Sequence, residues 1–253
     1  MKNFTHDGLQ LAYLDEGPRD GDPVLLIHGF ASNKTINWVE TNWVQTLTEA
    51  GYRVVALDNR GHGQSDKLYE SERYTPTLMA DDALAFLRHL DIGKAHVMGY
   101  SMGARIASFL ARDHGEVVAT LVLGGLGMAL VEGSGDWAPV ADALLAEDPE
   151  ALADKSGMEF RTFADRTGSD RRALAACIAS NRVLMPAEDL KAIRQPTLIA
   201  VGTKDEVAGS PHDLAALMPQ AEAFDIEKRS HLIATGDKTF KAKVLDFLQD
   251  HPL

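Results

Sequence analysis

Val97-Met98-Gly99-Tyr100-Ser101-Met102-Gly103-Ala104 joins a run of strand character (Ala95 to Tyr100) to a run of helix character (Gly103 to Ala111), with a serine at the junction. Gly-x-Ser-x-Gly is the spacing of a nucleophile elbow. The physical reason lies in the backbone. A turn this sharp holds the serine in a strained conformation and crowds its neighbours, and glycines two before and two after remove the Cβ atoms that would collide. The hydroxyl then projects from the strand end, and the next N–H opens a helix whose partial positive charge favours an oxyanion. Spacing alone is weak evidence. With glycine near 7% of residues, about one chain in fifteen of this length carries the pattern by chance.

On the N-terminal side, Val24-Leu25-Leu26-Ile27 and Arg53-Val54-Val55-Ala56-Leu57 are short apolar runs, as expected of parallel strands covered on both faces. The first ends in His28-Gly29-Phe30, the second in the polar loop Asp58 to Asp66. Phe4 to Asp15 reads as a hairpin turning at His6-Asp7-Gly8. Helical stripes are expected at Trp38 to Ala50, stopping at Gly51, and at Pro76 to Leu90. Asp81-Asp82 within the second is read as a solvated face. Beyond the elbow a further strand spans Val117 to Leu123. Strands alternating with helices imply an α/β fold with a mostly parallel open sheet.

That rhythm stops after Gly124-Gly125-Leu126-Gly127. Helices are expected at Val140 to Lys155, Met158 to Thr167, Asp170 to Arg182 and Ala187 to Ile193. Strand character returns at Pro196 to Gly202, followed by a helix (Pro211 to Leu217), a strand (Ala221 to Ile226) and a last helix (Asp237 to Asp250). The expected division is a core of residues 1–127 and 195–253, interrupted by a helical insertion of residues 128–194.

The totals bound the function. The chain has 253 residues, 45% of them hydrophobic, and a formal net charge of −12, which disfavours nucleic acid and anionic membrane surfaces as partners. A single cysteine, Cys177, precludes an intrachain disulfide and is expected to fill core space, which fits a cytoplasmic protein. No run of 18 apolar residues suggests a membrane span, and no signal-peptide pattern opens the chain. No zinc, P-loop or dinucleotide motif follows a strand, so no metal or cofactor is expected.

A serine hydroxyl needs a base to hold it and a third group to orient the base. Active groups in open parallel sheets gather beyond the carboxyl ends of the strands. Of nine histidines, His6, His89, His96, His114 and His251 lie at the wrong edge or in the tail, and His212 opens a helix. His28 and His62 follow strands but are flanked by glycine, as scaffolding. His231, in the polar loop Lys228 to His231 after the last strand, is the candidate base, against the alternative of an ordinary loop histidine. Asp205, three residues past Gly202, is the candidate orienting acid, against the alternative of a turn cap.

Ser101, Asp205 and His231, in that order, resemble the triad of the α/β-hydrolase superfamily, a serine-nucleophile esterase- or lipase-like member. His28-Gly29-Phe30 is similar to that family's oxyanion loop, Asp58-x-Arg60-Gly61-x-Gly63-x-Ser65 to its loop after the next strand, and the insertion falls where its members carry a helical cap. The resemblance implies attack by Ser101, oxyanion binding by the backbone N–H groups of Phe30 and Met102, and structural roles for His28, Asp58, Arg60 and His62. It points to a small-molecule ester substrate with a largely apolar acyl group. Ser101 argues against the dehalogenases and epoxide hydrolases of the family, which use aspartate. Carbon–carbon bond hydrolases share the Ser-Met-Gly elbow, but many have tryptophan where Leu232 stands. Cofactor-free perhydrolases and small-molecule receptors that keep the triad stay open. Of the cap's apolar residues (Met128, Leu130, Trp137, Leu144, Leu145, Met158, Phe160, Phe163 and Met185), most are expected to pack and a few to line an acyl pocket. Arg161, Arg166, Arg171, Arg172 and Arg182 are read as a solvated face rather than a carboxylate clamp.

Overall fold

The computed structural model describes residues 2–148 and 155–253. Eight strands form one sheet: β1 (Lys2–His6), β2 (Leu9–Glu16), β3 (Pro23–Ile27), β4 (Arg53–Leu57), β5 (Ala95–Tyr100), β6 (Val118–Gly124), β7 (Thr197–Gly202) and β8 (Ala221–Ile226). Their spatial order is β1-β2-β4-β3-β5-β6-β7-β8. β1 and β2 form an antiparallel hairpin and β2 pairs antiparallel with β4, while every other pairing is parallel. Asp7 and Gly8 both have positive φ (49° and 74°), as a two-residue hairpin turn requires.

The apolar runs are continuous because each strand feeds two cores. Leu25, Ile27, Val97, Leu121, Leu123 and Ile199 face one side. Val24, Leu26, Met98, Val122, Leu198 and Ala200 face the other. Helices α2 (Pro76–His89) and α3 (Met102–Asp113) cover the first face with Met79, Phe86, Leu87, Ile106 and Phe109, and α8 (Pro211–Leu217) adds Leu214. On the second face, α1 (Trp43–Glu49) and α10 (Lys238–Gln249) supply Trp43, Leu47, Phe240 and Val244. Local chemistry sets the helix starts. Thr75 accepts the N–H of Leu78 ahead of Pro76, and the Asp237 carboxylate accepts those of Thr239 (2.7 Å) and Phe240 (3.3 Å).

Between β6 and β7 the described residues contain no strand. They form α4 (Ala129–Glu132), α5 (Ala138–Leu145), α6 (Lys155–Thr167), α7 (Arg171–Ser180) and a 3₁₀ turn at Asp189–Ala192, where a longer helix is expected from Ala187. The helix expected from Val140 to Lys155 stops at Leu145, and residues 149–154 of that span lie outside the described residues. Arg161 caps that stop, its Nη1 donating to the carbonyls of Ala143 (2.9 Å) and Ala146 (2.8 Å). It is therefore buried rather than solvated.

Two other expectations are corrected. The helix expected from Trp38 to Ala50 is a π-helical turn, Thr35–Val39, followed by α1, with Asn42 at φ 63° between them. Trp38 and Trp43 are both fully buried. On one continuous helix, five residues of separation would set them about 140° apart, so the break lets both indoles enter the same core. Asp82 is not solvated. It sits on the buried stripe of α2 beside Met79, Ala83 and Phe86, is 1% exposed, and grips the fully buried Arg60 through two hydrogen bonds of 2.7 and 2.8 Å.

Candidate active site

Ser101 sits between β5 and α3 at φ 53° and ψ −111°, a conformation that costs a non-glycine residue energy. The flanking glycines are sterically required. A Cβ on Gly103 would lie 1.9 Å from the carbonyl oxygen of Ile27, and one on Gly99 would lie 2.1 Å from that of Gly103. The strain is held by close packing of the elbow against β3.

His231 opens the short helix α9 (His231–Ala234) after β8. Its Nε2 lies 2.9 Å from the Ser101 Oγ, and its Nδ1 lies 2.7 Å from Asp205 Oδ2. Asp205 Oδ1 is already engaged, accepting the N–H groups of Val207 (2.9 Å) and Ala208 (3.0 Å). The carboxylate can only accept, so Nδ1 carries the imidazole proton and Nε2 presents a lone pair to the serine hydroxyl. The structure thus brings Ser101, Asp205 and His231 into one hydrogen-bonded chain. Glu206 is exposed. The loop carrying His231 is held from beneath. A Cβ on Gly202 would strike the Arg229 carbonyl at 2.2 Å, and Lys204 N–H donates to that same oxygen (2.9 Å).

Phe30 and Met102 flank the serine from two directions. Gly29 lies close enough that its Cβ would stand 3.7 Å from that of Ser101. Phe30 lines the cavity over the serine. Met102, first residue of α3, turns its side chain away, where Asn181 Nδ2 donates to its sulfur (2.9 Å). His28 fixes the loop. Its Nε2 accepts the Asn59 N–H (3.0 Å), which leaves Nδ1–H to donate to the Gly29 carbonyl (2.8 Å). Burial pushes the His28 pKa down, so the ring stays neutral. His62 is also buried, its pKa pushed down to about 3 by desolvation and by His28. Asp58 ties the neighbouring loop, accepting Lys34 Nζ (2.7 Å) and the backbone N–H groups of Lys34 and Gln64 (both 2.8 Å). The buried Cys177 thiol, its pKa pushed up to about 12, is inert core.

A cavity of about 510 Å³ opens onto Ser101 and His231. Its apolar walls include Phe30, Ile36 and, from the segment between β6 and β7, Trp137, Val140, Phe160 and Phe163. Leu130, Leu144 and Met185 are core, and Leu145 is exposed. Arg166 and Arg182 also line this cavity, against the expectation of a purely solvated face. Three contributors to the site are not visible in the sequence. The Tyr100 hydroxyl donates to the His231 carbonyl, Asn37 Oδ1 accepts the Gly29 N–H (3.0 Å), and Trp43 Nε1 donates to Thr235 O (2.7 Å) beyond α9. The first and third join segments 131 and 192 positions apart, the second spans eight, and none has a local pattern to betray it.

Comparison with known proteins follows the same lines. Residues 22–157 match the model of the α/β-hydrolase fold family, and the chain belongs to that family. It is 30% identical over 264 residues to the dihydrolipoyllysine-residue acetyltransferase component of an acetoin cleaving system from Pseudomonas putida, covering 96% of this chain and 68% of that one. A non-heme chloroperoxidase from Streptomyces lividans is 28% identical over 276 residues, covering 97% and 98%. Among solved structures, a hydrolase from Pseudomonas aeruginosa PA01 superposes with a TM-score of 0.80 at 26% identity, covering 97% of each chain.

Proposed function

We propose that the protein is a serine hydrolase that cleaves carboxylic esters of small, largely apolar acyl groups through an acyl-enzyme on Ser101. The observation that carries this reading is the unbroken chain from Asp205 through His231 to Ser101, opening onto an apolar-walled cavity. His231 Nε2 takes the hydroxyl proton as Oγ attacks the acyl carbon, and Asp205 stabilises the imidazolium that forms. The N–H groups of Phe30 and Met102 receive the oxyanion. Losing one such donor costs about 3–4 kcal/mol of barrier. Collapse expels the alcohol, which takes the proton from His231. Water, activated by the same imidazole, then releases the acid and restores the serine.

The test is turnover of p-nitrophenyl acetate to octanoate by the wild-type protein and by Ser101→Ala, with fluorophosphonate labelling of Ser101. Hydrolysis lost in the variant, together with labelling, supports the reading; no cleavage of any ester refutes it. A second reading is perhydrolysis, in which hydrogen peroxide replaces water in the last step. The resemblance to a chloroperoxidase favours including it, and peracid formed from acetate and peroxide would reveal it. A receptor would show labelling without repeated turnover, and a carbon–carbon bond hydrolase would turn over vinylogous diketones in preference to esters.

A further inference from the structure

Arg182 follows α7 and presses its guanidinium onto Trp137, with the central carbon 3.6 Å from the ring centroid. Its Nε is sealed from solvent and has no hydrogen-bond partner. Behind it lies Arg105, 2% exposed, whose terminal nitrogens donate to the carbonyls of Ala129 (2.9 Å), Leu130 (3.2 Å) and Val183 (2.8 Å). Those acceptors are neutral, so neither charge is cancelled. Burial and Arg105 push the Arg182 pKa down to about 9, and burial pushes that of Arg105 to about 10. The chain has 37 acidic residues against 25 basic ones, yet no described carboxylate forms an ion pair with either guanidinium. Glu132, Asp136 and Glu159 line the surrounding walls without reaching them.

A buried cation with a half-buried one beside it, neither of them neutralised, is costly unless something else supplies the counter-charge. The cavities suggest what does. A side chamber of about 350 Å³ contains Arg105 and Arg182. Ser134, Trp137 and Arg182 belong to the walls of both this chamber and the cavity over Ser101. Arg182 therefore borders both, and gives the apolar-walled cavity over Ser101 a positive end. Arg105 already makes three hydrogen bonds to carbonyls, whereas no described group accepts from the Arg182 fork. A single fork matches the two oxygens of a planar carboxylate.

We infer that this chamber binds a carboxylate carried by the substrate, so that the preferred esters are anionic, with an apolar spacer between charge and scissile bond. The inference rests on the ester-hydrolase reading and narrows its substrate class.

The test is a ratio of kcat/KM values for matched esters: mono-p-nitrophenyl adipate against p-nitrophenyl hexanoate, and hexanoate esters of 4-hydroxybenzoate against 4-hydroxybenzamide. The first pair places the carboxylate on the acyl side, the second on the leaving group. For at least one pair the wild-type ratio is expected to exceed one and to fall roughly 10- to 100-fold in Arg182→Met, with part retained in Arg182→Lys. Each ratio comes from one protein sample, so partial misfolding cancels. Ratios within twofold of wild type for both pairs would overturn the inference while leaving ester hydrolysis intact. Should no ester turn over, the ester-hydrolase reading fails by itself. Calorimetry with adipate then decides the chamber: binding to Ser101→Ala that vanishes in Ser101→Ala/Arg182→Met sustains it, and no binding to either removes it.

Discussion

The Tyr100 hydroxyl donates a hydrogen bond to the backbone carbonyl of His231. The residue immediately before the candidate nucleophile thus anchors the candidate base, 131 positions further along the chain. Tyr100→Phe keeps the ring, whose centroid stands 5.7 Å from that of His231, and removes only the anchor. We expect kcat on a short ester to fall about tenfold with KM little changed, and stability to fall by about 1 kcal/mol. Steady-state kinetics and urea unfolding check both parts. An unchanged kcat would mean that the Asp205 contact alone positions the imidazole.

Asp205→Asn tests the orienting group. An amide can keep the two N–H contacts of Val207 and Ala208 only with its oxygen, so its NH₂ faces His231 Nδ1 and favours the wrong tautomer. A loss of about 10³- to 10⁴-fold in kcat is expected, with much slower fluorophosphonate labelling of Ser101.

Gly103 and Gly93 make a matched pair. A Cβ at Gly103 has no room beside the Ile27 carbonyl, whereas one at Gly93 meets nothing within 4 Å. Gly103→Ala should cost more than about 3 kcal/mol or abolish soluble expression, and Gly93→Ala should stay within about 0.5 kcal/mol of wild type. Thermal unfolding midpoints read the difference.

Acid should destabilise the fold through its buried neutral histidines. The His62 pKa falls from 6.5 to about 3 on folding, so the unfolded chain binds more protons between those values. The stability this contributes is fully present above pH 6.5 and is lost as pH drops toward 3. His62→Asn, whose amide can replace the Nδ1–H bond to the Arg60 carbonyl but takes no proton, should flatten the stability–pH slope by up to about 1.4 kcal/mol per pH unit. Identical slopes in chemical denaturation at pH 7, 6 and 5 would contradict it.

Cutting the buried Asp82–Arg60 pair should be severe. Asp82→Ala leaves the fully buried Arg60 guanidinium with only the Arg73 carbonyl (2.8 Å) and the half-exposed Asp7 at 3.7 Å and is expected to cost about 3–5 kcal/mol, whereas Asp82→Leu with Arg60→Met should recover much of that loss. Equal unfolding midpoints for the single and double variants would refute this.

Patterns that local sterics impose are legible in the amino-acid sequence. Gly99 and Gly103 bracket Ser101 because nothing larger fits, and the unbroken apolar runs at Val24–Ile27 and Leu198–Val201 reflect two buried faces. His231 and Asp205 could be picked out because topology restricts candidates to one rim of the sheet. Contacts decided by tertiary packing are hidden. Asp82 carries a usable signal, an acid on an apolar stripe, but its partner lies 22 positions away. The break between Trp38 and Trp43 depends on which core each indole enters. Arg182 reads like any surface arginine until Trp137 and the chamber behind it are in view.

The hydroxyl of the candidate nucleophile and the imidazole of the candidate base are separated by 130 positions and follow β5 and β8, which have β6 and β7 between them in the sheet. A chain emerging from the ribosome therefore carries an ordinary alcohol at position 101 until the last strand and the loop after it are in place. On the proposed serine-hydrolase reading, reactivity is the final property this molecule acquires, and any truncation before residue 231 is expected to leave it chemically silent.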